Sequence, residues 1–362
     1  MMADPVLDVR PTAANTAHWR AMGVTRLLDA GMRYDDLLAL QAATIAGEPW
    51  DEVAERLGAA RMAQAQEAAA AHRTVSAHDS YRAAAACYVF AQMAFNFDTD
   101  RKRALYAAFD AAVAEAARFS PVPMRRIELE FGAGRLTGWH LRPQGSVGTV
   151  VVFGGQSGWG ATYLRYADAL LGRGVAVILA EGPGQGGSRL TYGVHLDVDV
   201  AAAFGTFVDL AASDGPVGVW GNSVGGLFAA LTAARHPGVA ACCVNGGFAV
   251  PRLLPFRTFS EQAKAMLGSR DDAAVTANFE RLRFDPTVDR IECPLLVLHG
   301  GADPLVELDD QRPFLDGAAH GTLRIWKDGE HTIYNHADER NATAADWFAE
   351  RLTEYRETVP AP

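Results

Sequence analysis

The chain of 362 residues carries a formal net charge of −10, with 49% hydrophobic and 21% charged residues. This composition is ordinary for a globular protein with a large core, and the length favours two domains or one large domain with an addition. The acidic balance and the absence of a dense basic cluster exclude nucleic acid as an expected partner. No apolar run is long enough to span a membrane, so no membrane association is expected either.

The amino-terminal segment and the cysteines favour a cytoplasmic protein. Residues 1–20 contain Asp4, Asp8 and Arg10 and lack the apolar stretch of a signal peptide. No two cysteines have C-x-x-C spacing, and we expect all of them to be reduced thiols. They are Cys87, Cys242, Cys243 and Cys293. No group of histidines and cysteines has metal-ligand spacing, so neither a metal nor another cofactor is expected.

The first third of the chain has only helical patterns. Residues 15–119 carry apolar side chains at helical spacing and no strand-like run, which predicts about five helices. Pro121 and Pro123 then prevent a helix from continuing. We therefore predict a helical, cap-like domain over residues 1–120 and a second domain over residues 121–362.

Beyond these prolines the pattern changes to short strands. Two runs of alternating polarity, 126–131 and 136–141, predict an antiparallel pair. Apolar strands and helices then alternate, as is typical of a mostly parallel sheet covered by helices on both faces. The later predicted strands are 148–153, 175–181, 217–220, 239–244, 294–299 and 323–327, and the helices are 161–172, 198–212, 227–231 and 344–355. The predicted fold class is α/β.

One segment of this domain has the order strand, sharp turn and helix around a G-x-S-x-G. Its centre is Gly221, Ser223 and Gly225. The surrounding strand and helix distinguish a nucleophile elbow from a chance match, and the glycines let neighbouring backbone approach closely. The alternative is a glycine-rich turn with an idle serine. We predict that Ser223 is a nucleophile.

Two other strand ends carry the partners that such a serine needs. In open α/β sheets, ligands bind beyond the carboxyl ends of the strands. Asp303 is the only carboxylate in the turn after strand 294–299, and His331 follows strand 323–327. The chain order Ser, Asp, His is that of α/β-hydrolases. We predict His331 as the general base and Asp303 as the carboxylate that orients it.

The turn after the first parallel strand is expected to complete an oxyanion hole. Residues 154–158 read Gly-Gly-Gln-Ser-Gly, and the N–H of Gly155 or Gln156 could join that of Val224. A flexible loop without this role is the alternative. The glycine-rich segment 181–187 lacks the lysine of a P-loop and is not followed by a clear helix, which excludes a nucleotide site.

With these motifs the chain resembles the α/β-hydrolases. It is most similar to serine hydrolases of the 2,6-dihydroxypseudooxynicotine hydrolase type, which have an N-terminal helical domain. The resemblance runs from about residue 76 to the end, and Glu181 replaces the usual Asp. The residues that carry it are Ser76-Ala77, Arg82-Ala83-Ala84, Gly154-Gly155, 181–186, 221–226, 300–303, Glu330-His331, Asn335 and Asp346-Trp347.

The resemblance implies a small-molecule substrate, a pocket between the helical domain and the sheet, and often a homodimer. It also implies cleavage of an ester or of a carbon–carbon bond next to a ketone. The second reaction needs an additional group that protonates the leaving group or polarises the ketone. Residues 244–260 contain no carboxylate and are mostly apolar apart from Arg252 and Arg257. This favours a bulky apolar or aromatic substrate.

Three hypotheses about function follow from these residues. The leading one is a serine hydrolase that attacks a carbonyl group. The second hypothesis is a cyclase or acyltransferase, which would share the first step. An internal nucleophile, instead of water, would then attack the acyl-enzyme. Exclusion of water from the pocket therefore decides between a hydrolase and these enzymes. The third hypothesis is a binding protein that retains the fold without turnover. Such a protein would be expected to lack Ser223, Asp303 or His331.

Overall fold

The structure, a computed structural model, describes residues 13–197 and 199–358. The expectation that residues 1–20 form no signal peptide therefore falls partly outside the described residues. The chain divides into two compact units, Met1–Pro121 and Val122–Pro362. Among the described residues, no helix is both long and apolar enough to cross a membrane.

The first unit is helical, with six helices in its described part. They are α1 Ala13–Ala21, α2 Val24–Asp29, α3 Tyr34–Ile45, α4 Trp50–Ala70, α5 Thr74–Met93 and α6 Asp100–Arg118. The sequence predicts about five. The difference arises at Gly23, whose extended backbone (φ −60°, ψ 164°) forms the N-cap of α2 and separates it from α1.

Aromatic and small side chains fill the core of this unit. Trp19 and Trp50 pack edge to face, with ring centroids 4.9 Å apart. The indole N–H of Trp50 donates a hydrogen bond to the carbonyl of Phe90 at 3.0 Å, so its polar atom is satisfied although the side chain is buried. These aromatic residues serve packing within the unit.

The second unit contains eight strands in its described part: β1 Met124–Phe131, β2 Gly134–Leu141, β3 Thr149–Phe153, β4 Ala176–Glu181, β5 Val217–Asn222, β6 Val239–Asn245, β7 Leu295–Gly300 and β8 Gly321–Trp326. They form one sheet in the order β1-β2-β4-β3-β5-β6-β7-β8. Strand β2 pairs antiparallel with β1 and β4, and all the other neighbouring pairs are parallel. This is the α/β class that the sequence predicts.

The helices of this unit depart from the prediction in several places. They are α7 Leu164–Leu171, α8 Gly186–Leu190, α9 Val200–Ala212, α10 Val224–Arg235, α11 Arg257–Leu267, α12 Asp272–Leu282, α13 Leu308–Asp316 and α14 Ala337–Thr358. The prediction that no helix follows segment 181–187 is wrong, because the short α8 starts there. Helices α11, α12 and α13 occupy stretches without a predicted element, and α14 starts before its predicted first residue, 344.

Aromatic side chains cover both faces of the central strands. On one face Phe153 stacks on Phe204, with ring centroids 4.0 Å apart. Neighbouring side chains of a strand point to opposite faces of the sheet, so the side chain of Trp220 in β5 lies on the face opposite that of Val219. There its ring packs against Tyr166 at 4.7 Å and Phe348 at 6.0 Å. Strands β3 to β7 are thus buried on both faces, whereas β8 at the edge of the sheet is mostly exposed. The carboxyl ends of the parallel strands share one edge of the sheet.

Candidate active site

Ser223 lies between β5 and α10, at the carboxyl end of a central strand. Its backbone has φ 56° and ψ −127°, a conformation that residues with a Cβ rarely adopt. Such strain persists only where the surrounding structure enforces it. The Ser223 residue is partly exposed, whereas every residue of β5 before it is buried. The turn therefore presents one hydroxyl at the end of a closed strand.

Glycines make this sharp turn possible. A Cβ on Gly221 would lie 1.9 Å from the carbonyl oxygen of Gly225. A Cβ on Gly225 would lie 2.4 Å from the carbonyl oxygen of Gly154, at the end of β3. Both distances are far below any real contact, so the elbow requires glycine at both positions. The steric need agrees with the role assigned to these glycines from the sequence.

The structure brings Ser223, His331 and Asp303 into one hydrogen-bonded chain. The Nε2 atom of His331 lies 2.9 Å from Ser223 Oγ, and its Nδ1 atom lies 2.8 Å from Asp303 Oδ2. A carboxylate can only accept, so Nδ1 carries the proton and Nε2 faces the serine as an acceptor. In this arrangement the imidazole can remove the serine proton.

The Asp303 carboxylate is fixed on both of its oxygens. Its side chain is fully buried, at 0% exposed, and that of His331 is 17% exposed. The Oδ1 atom accepts hydrogen bonds from the backbone N–H groups of Leu305 and Val306, at 2.8 and 3.1 Å. Oδ2 is left to face the imidazole. The turn after β7 therefore orients the carboxylate before any substrate binds.

The turn that follows His331 is strained in a different way. Thr332 and Ile333 have φ angles of 53° and 62°, although both side chains branch at Cβ. The carbonyl oxygen of Thr332 accepts hydrogen bonds from Asn245 Nδ2 at 3.1 Å and from Arg340 Nη1 at 2.8 Å. Two buried donors thus hold the backbone next to the candidate base.

Asn245 also contacts the candidate nucleophile. Its backbone carbonyl accepts a hydrogen bond from the N–H of Ser223 at 2.9 Å, while its side chain reaches the turn after His331. Sequence reasoning missed both Asn245 and Arg340. Asn245 is the last residue of β6, a strand end next to the elbow, and a polar residue there is a usable signal. Arg340 lies within α14, where no local pattern separates it from a surface arginine.

The three predicted oxyanion-hole donors are not equivalent. The N–H of Gly155 donates to the hydroxyl of Tyr163 at 3.2 Å. Neither Val224 nor Gln156 uses its backbone N–H in a hydrogen bond with any residue that the structure describes. Val224 is the first residue of α10, where a helix leaves its N–H groups without internal partners. Val224 and Gln156 are therefore the candidate pair of donors.

Metal-ligating side chains are not clustered in the described residues, and the arginines of segment 244–260 form ion pairs. Within the described ranges, no group of three or more His, Cys, Asp or Glu side chains could hold a metal ion. The guanidinium of Arg252 pairs with Asp310 at 2.7 Å, and that of Arg257 pairs with Glu261 at 2.9 Å. The two cations of segment 244–260 are thus engaged in ion pairs.

Comparison with solved structures identifies the fold. The crystal structure of 2,6-dihydroxy-pseudo-oxynicotine hydrolase matches with a TM-score of 0.82 over 93% of this chain and 98% of that chain, at 24% identity. The chain has the α/β-hydrolase fold. The structure of wild-type AbyA5 matches this chain more loosely, with a TM-score of 0.60 over 82% of the present chain and 89% of AbyA5, at 17% identity.

Sequence comparison agrees with the structural match. The chain is 27% identical over 309 residues to 2,6-dihydropseudooxynicotine hydrolase of Paenarthrobacter nicotinovorans, and the alignment covers 82% of this chain and 83% of the relative. No model of a known protein family matches the chain. The fold class and the resemblance predicted from the sequence are confirmed.

Proposed function

We propose that this protein is a serine hydrolase that cleaves esters of bulky apolar or aromatic small molecules. Cleavage of a carbon–carbon bond next to a ketone is the alternative reaction for the same nucleophile. The observation that carries the proposal is the hydrogen-bonded chain from Asp303 through His331 to Ser223. The matching relative, named as a hydrolase of 2,6-dihydropseudooxynicotine, supports a small-molecule substrate.

In the first half of the reaction Ser223 becomes acylated. His331 Nε2 takes the hydroxyl proton while Oγ attacks the carbonyl carbon, and the negative charge on the carbonyl oxygen is met by the N–H groups of Val224 and Gln156. The imidazolium then donates its proton to the departing alcohol oxygen. The products of this half are the free alcohol and an acyl-enzyme on Ser223.

In the second half, water replaces the alcohol. His331 takes a proton from the water as it attacks the acyl carbon, and returns that proton to Ser223 Oγ as the acid leaves. Asp303 stabilises the imidazolium in both halves and holds the tautomer in which Nε2 is free to accept. Its full burial strengthens this interaction, because no water competes for Oδ2.

Segment 244–260 supports an ester as the substrate rather than a ketone. An alcohol leaving group needs only the proton that His331 already carries, whereas a carbanion-like leaving group needs a further acid. The segment follows β6 and contains no carboxylate. Its two arginines are engaged with Asp310 and Glu261. No acid for the carbon–carbon reaction is therefore available in this segment.

The test combines covalent labelling with turnover. Wild type, Ser223→Ala and Ser213→Ala are incubated with a fluorophosphonate, followed by intact mass and by p-nitrophenol release from short, medium and aromatic acyl esters. Ser213 is an exposed serine at the end of α9 and serves as the matched control. We expect labelling and turnover in wild type and in the control, and neither in Ser223→Ala.

Two other outcomes would change the proposal. Labelling without ester turnover would indicate an active nucleophile with a different substrate, and aryl ketones and cyclisation precursors would then be assayed. Labelling that persists in Ser223→Ala would overturn the assignment of the nucleophile.

A further inference from the structure

The glycine-rich segment 181–187 contains a fully buried amide. Gln185 is 0% exposed, and all its side-chain hydrogen bonds join backbone groups. Its Nε2 donates to the carbonyl oxygens of Gly154 at 2.7 Å and Gly155 at 3.0 Å. Its Oε1 accepts from the N–H of Gly182 at 3.0 Å. Carbonyls only accept and N–H groups only donate, so the orientation of the amide is determined.

These bonds fix the direction of the oxyanion loop, residues 154–158. The carbonyl of Gly155 and the N–H of Gln156 belong to one planar trans peptide unit and point in opposite directions. When Gln185 holds the Gly155 oxygen on one side, the Gln156 N–H is directed to the other. The same reasoning applies to the carbonyl of Gly154 and the N–H of Gly155, which points at Tyr163.

The loop lies directly against the candidate nucleophile. A Cβ built on Gly155 would lie 3.3 Å from Ser223 Cβ and 3.9 Å from Ser223 Oγ. A rotation of the peptide planes on either side of Gly155 would therefore change the donors that surround the reacting carbonyl. Donors aimed at the developing oxyanion act through position, so a small rotation is enough to lose their effect.

The glycines of segment 181–187 allow Gln185 to reach the loop. A Cβ on Gly182 would lie 2.2 Å from the ring of Phe204, and one on Gly184 would lie 2.9 Å from the carbonyl oxygen of Met266. Gly184 also has φ 78°, which favours glycine. The segment can pass through this space only without side chains.

The start of the segment is braced by a buried carboxylate. Glu181 accepts hydrogen bonds from the hydroxyl of Thr137 at 2.6 Å and from the N–H of Gly187 at 2.9 Å. The two ends of the segment are thereby tied together, and Gln185 projects from a rigid base.

We propose that Gln185 is a positioning residue that aims the oxyanion loop, and that the Gly-Pro-Gly-Gln-Gly motif exists to hold its amide there. This inference rests on the proposed serine-hydrolase function. Gln185 touches no reacting atom and acts through the Gln156 N–H. Gln185→Glu keeps the size and the acceptor for Gly182, but sets a carboxylate oxygen against two carbonyl oxygens. Gln185→Met removes the hydrogen bonds without adding charge.

The experiment compares wild type, both Gln185 variants and Gln311→Glu. Gln311 is another fully buried glutamine, bonded to His299 rather than to the loop, so its variant controls for a carboxylate in the core. We measure kcat and KM for a p-nitrophenyl ester, inhibition by a trifluoromethyl ketone, and the thermal midpoint. The trifluoromethyl ketone is chosen because its adduct with Ser223 carries an oxyanion.

Both Gln185 variants should lose about 100- to 1,000-fold in kcat, the effect of losing one oxyanion donor, with little change in KM. The inhibition constant of the ketone should rise by a similar factor. Gln311→Glu should lower the thermal midpoint while kcat and ketone inhibition stay near wild type. If the glutamate variant does not fold, the methionine variant supplies the same comparison.

Two results would overturn the inference. One is a folded Gln185 variant with wild-type kcat, and the other is a loss of kcat without weaker ketone inhibition. Absence of labelling and turnover in wild type would instead contradict the proposed function itself. The two failures are therefore distinguishable in one set of measurements.

Discussion

The two halves of the candidate active site tolerate unusual backbone by different means. On the elbow side, Ser223 has φ 56° between flanking glycines. On the histidine side, Thr332 and Ile333 have φ angles of 53° and 62°, with no glycine among them. At the elbow, glycines remove the Cβ atoms that would clash. The turn after His331 keeps its bulky side chains, and hydrogen-bond donors hold the carbonyl of Thr332 in place.

This difference determines which half of the site can be predicted from a sequence. A steric requirement for glycine is local, so it appears as a short motif around Ser223. A carbonyl held by Asn245 and Arg340 depends on residues from β6 and α14, far apart in the chain. We therefore expect the elbow to respond to added volume and the histidine side to respond to lost hydrogen bonds.

The largest effect is expected from Asp303→Asn, which changes the histidine side without adding volume. The amide no longer stabilises the imidazolium and favours the wrong tautomer, so kcat should fall by about 10,000-fold, as for the equivalent change in other triads. The rate of p-nitrophenol release measures this. Asp310→Asn, which removes the charge that pairs with Arg252 and alters the hydrogen bond from the N–H of Glu307, should leave the rate near wild type. A loss below about tenfold for Asp303→Asn would mean that another group supports His331.

Gly225→Ala tests the elbow side by adding volume. The new Cβ would meet the carbonyl oxygens of Gly154 at 2.4 Å and Phe153 at 2.7 Å, so the end of β3 must shift. We expect a loss of at least about 3 kcal/mol in the free energy of unfolding, together with loss of activity. Denaturant unfolding measures the first.

Gly172→Ala is the matched control for this change. Gly172 has helical φ and ψ, and its nearest neighbour would lie 3.3 Å from a new Cβ. The control should change the free energy of unfolding by less than about 1 kcal/mol. A stable and active Gly225→Ala variant would show that β3 and α10 can move apart. The claim that the elbow requires glycine at this position would then be wrong.

Asn245→Ala tests the histidine side by removing hydrogen bonds. The variant loses the donor to Thr332 but keeps the backbone carbonyl that binds the Ser223 N–H. We expect kcat to fall by about 10- to 100-fold, because a small displacement of His331 costs that much. Asn222→Ala removes another partner of the Asn245 side chain and leaves the Thr332 bond in place. Equal losses in the two variants would contradict a specific role for the Thr332 bond.

The sequence predicted the strands and the elbow because these depend on local patterns. The apolar runs of β3 to β7 identify buried parallel strands, and the order of Ser223, Asp303 and His331 identifies the strand ends that meet. The choice between Gly155 and Gln156 could not be predicted, because it depends on the hydroxyl of Tyr163.

Two further features could not be predicted from the sequence, for similar reasons. Helices α11 to α13 contain many charged and polar side chains and few large apolar ones, and α13 also contains Pro313. Segment 181–187 is recognisable in the sequence as glycine-rich, but its link to the oxyanion loop depends on hydrogen bonds to residues about thirty positions earlier. Such contacts have no local signature.

The smallest expected effect concerns the strain that remains on the histidine side. Thr332 is buried, and its hydroxyl has no hydrogen-bond partner among the described residues. Thr332→Ala and Thr332→Gly both remove that hydroxyl, and only glycine also removes the Cβ from a positive φ. Because a Cβ costs about 1–2 kcal/mol in that conformation and glycine loses about 0.5–1 kcal/mol in chain entropy, the glycine variant should be the more stable by about 1 kcal/mol. Denaturant unfolding of the pair measures the difference. An alanine variant as stable as the glycine variant would mean that the turn carries no strain, and the contrast with the elbow would then lie in hydrogen bonding alone.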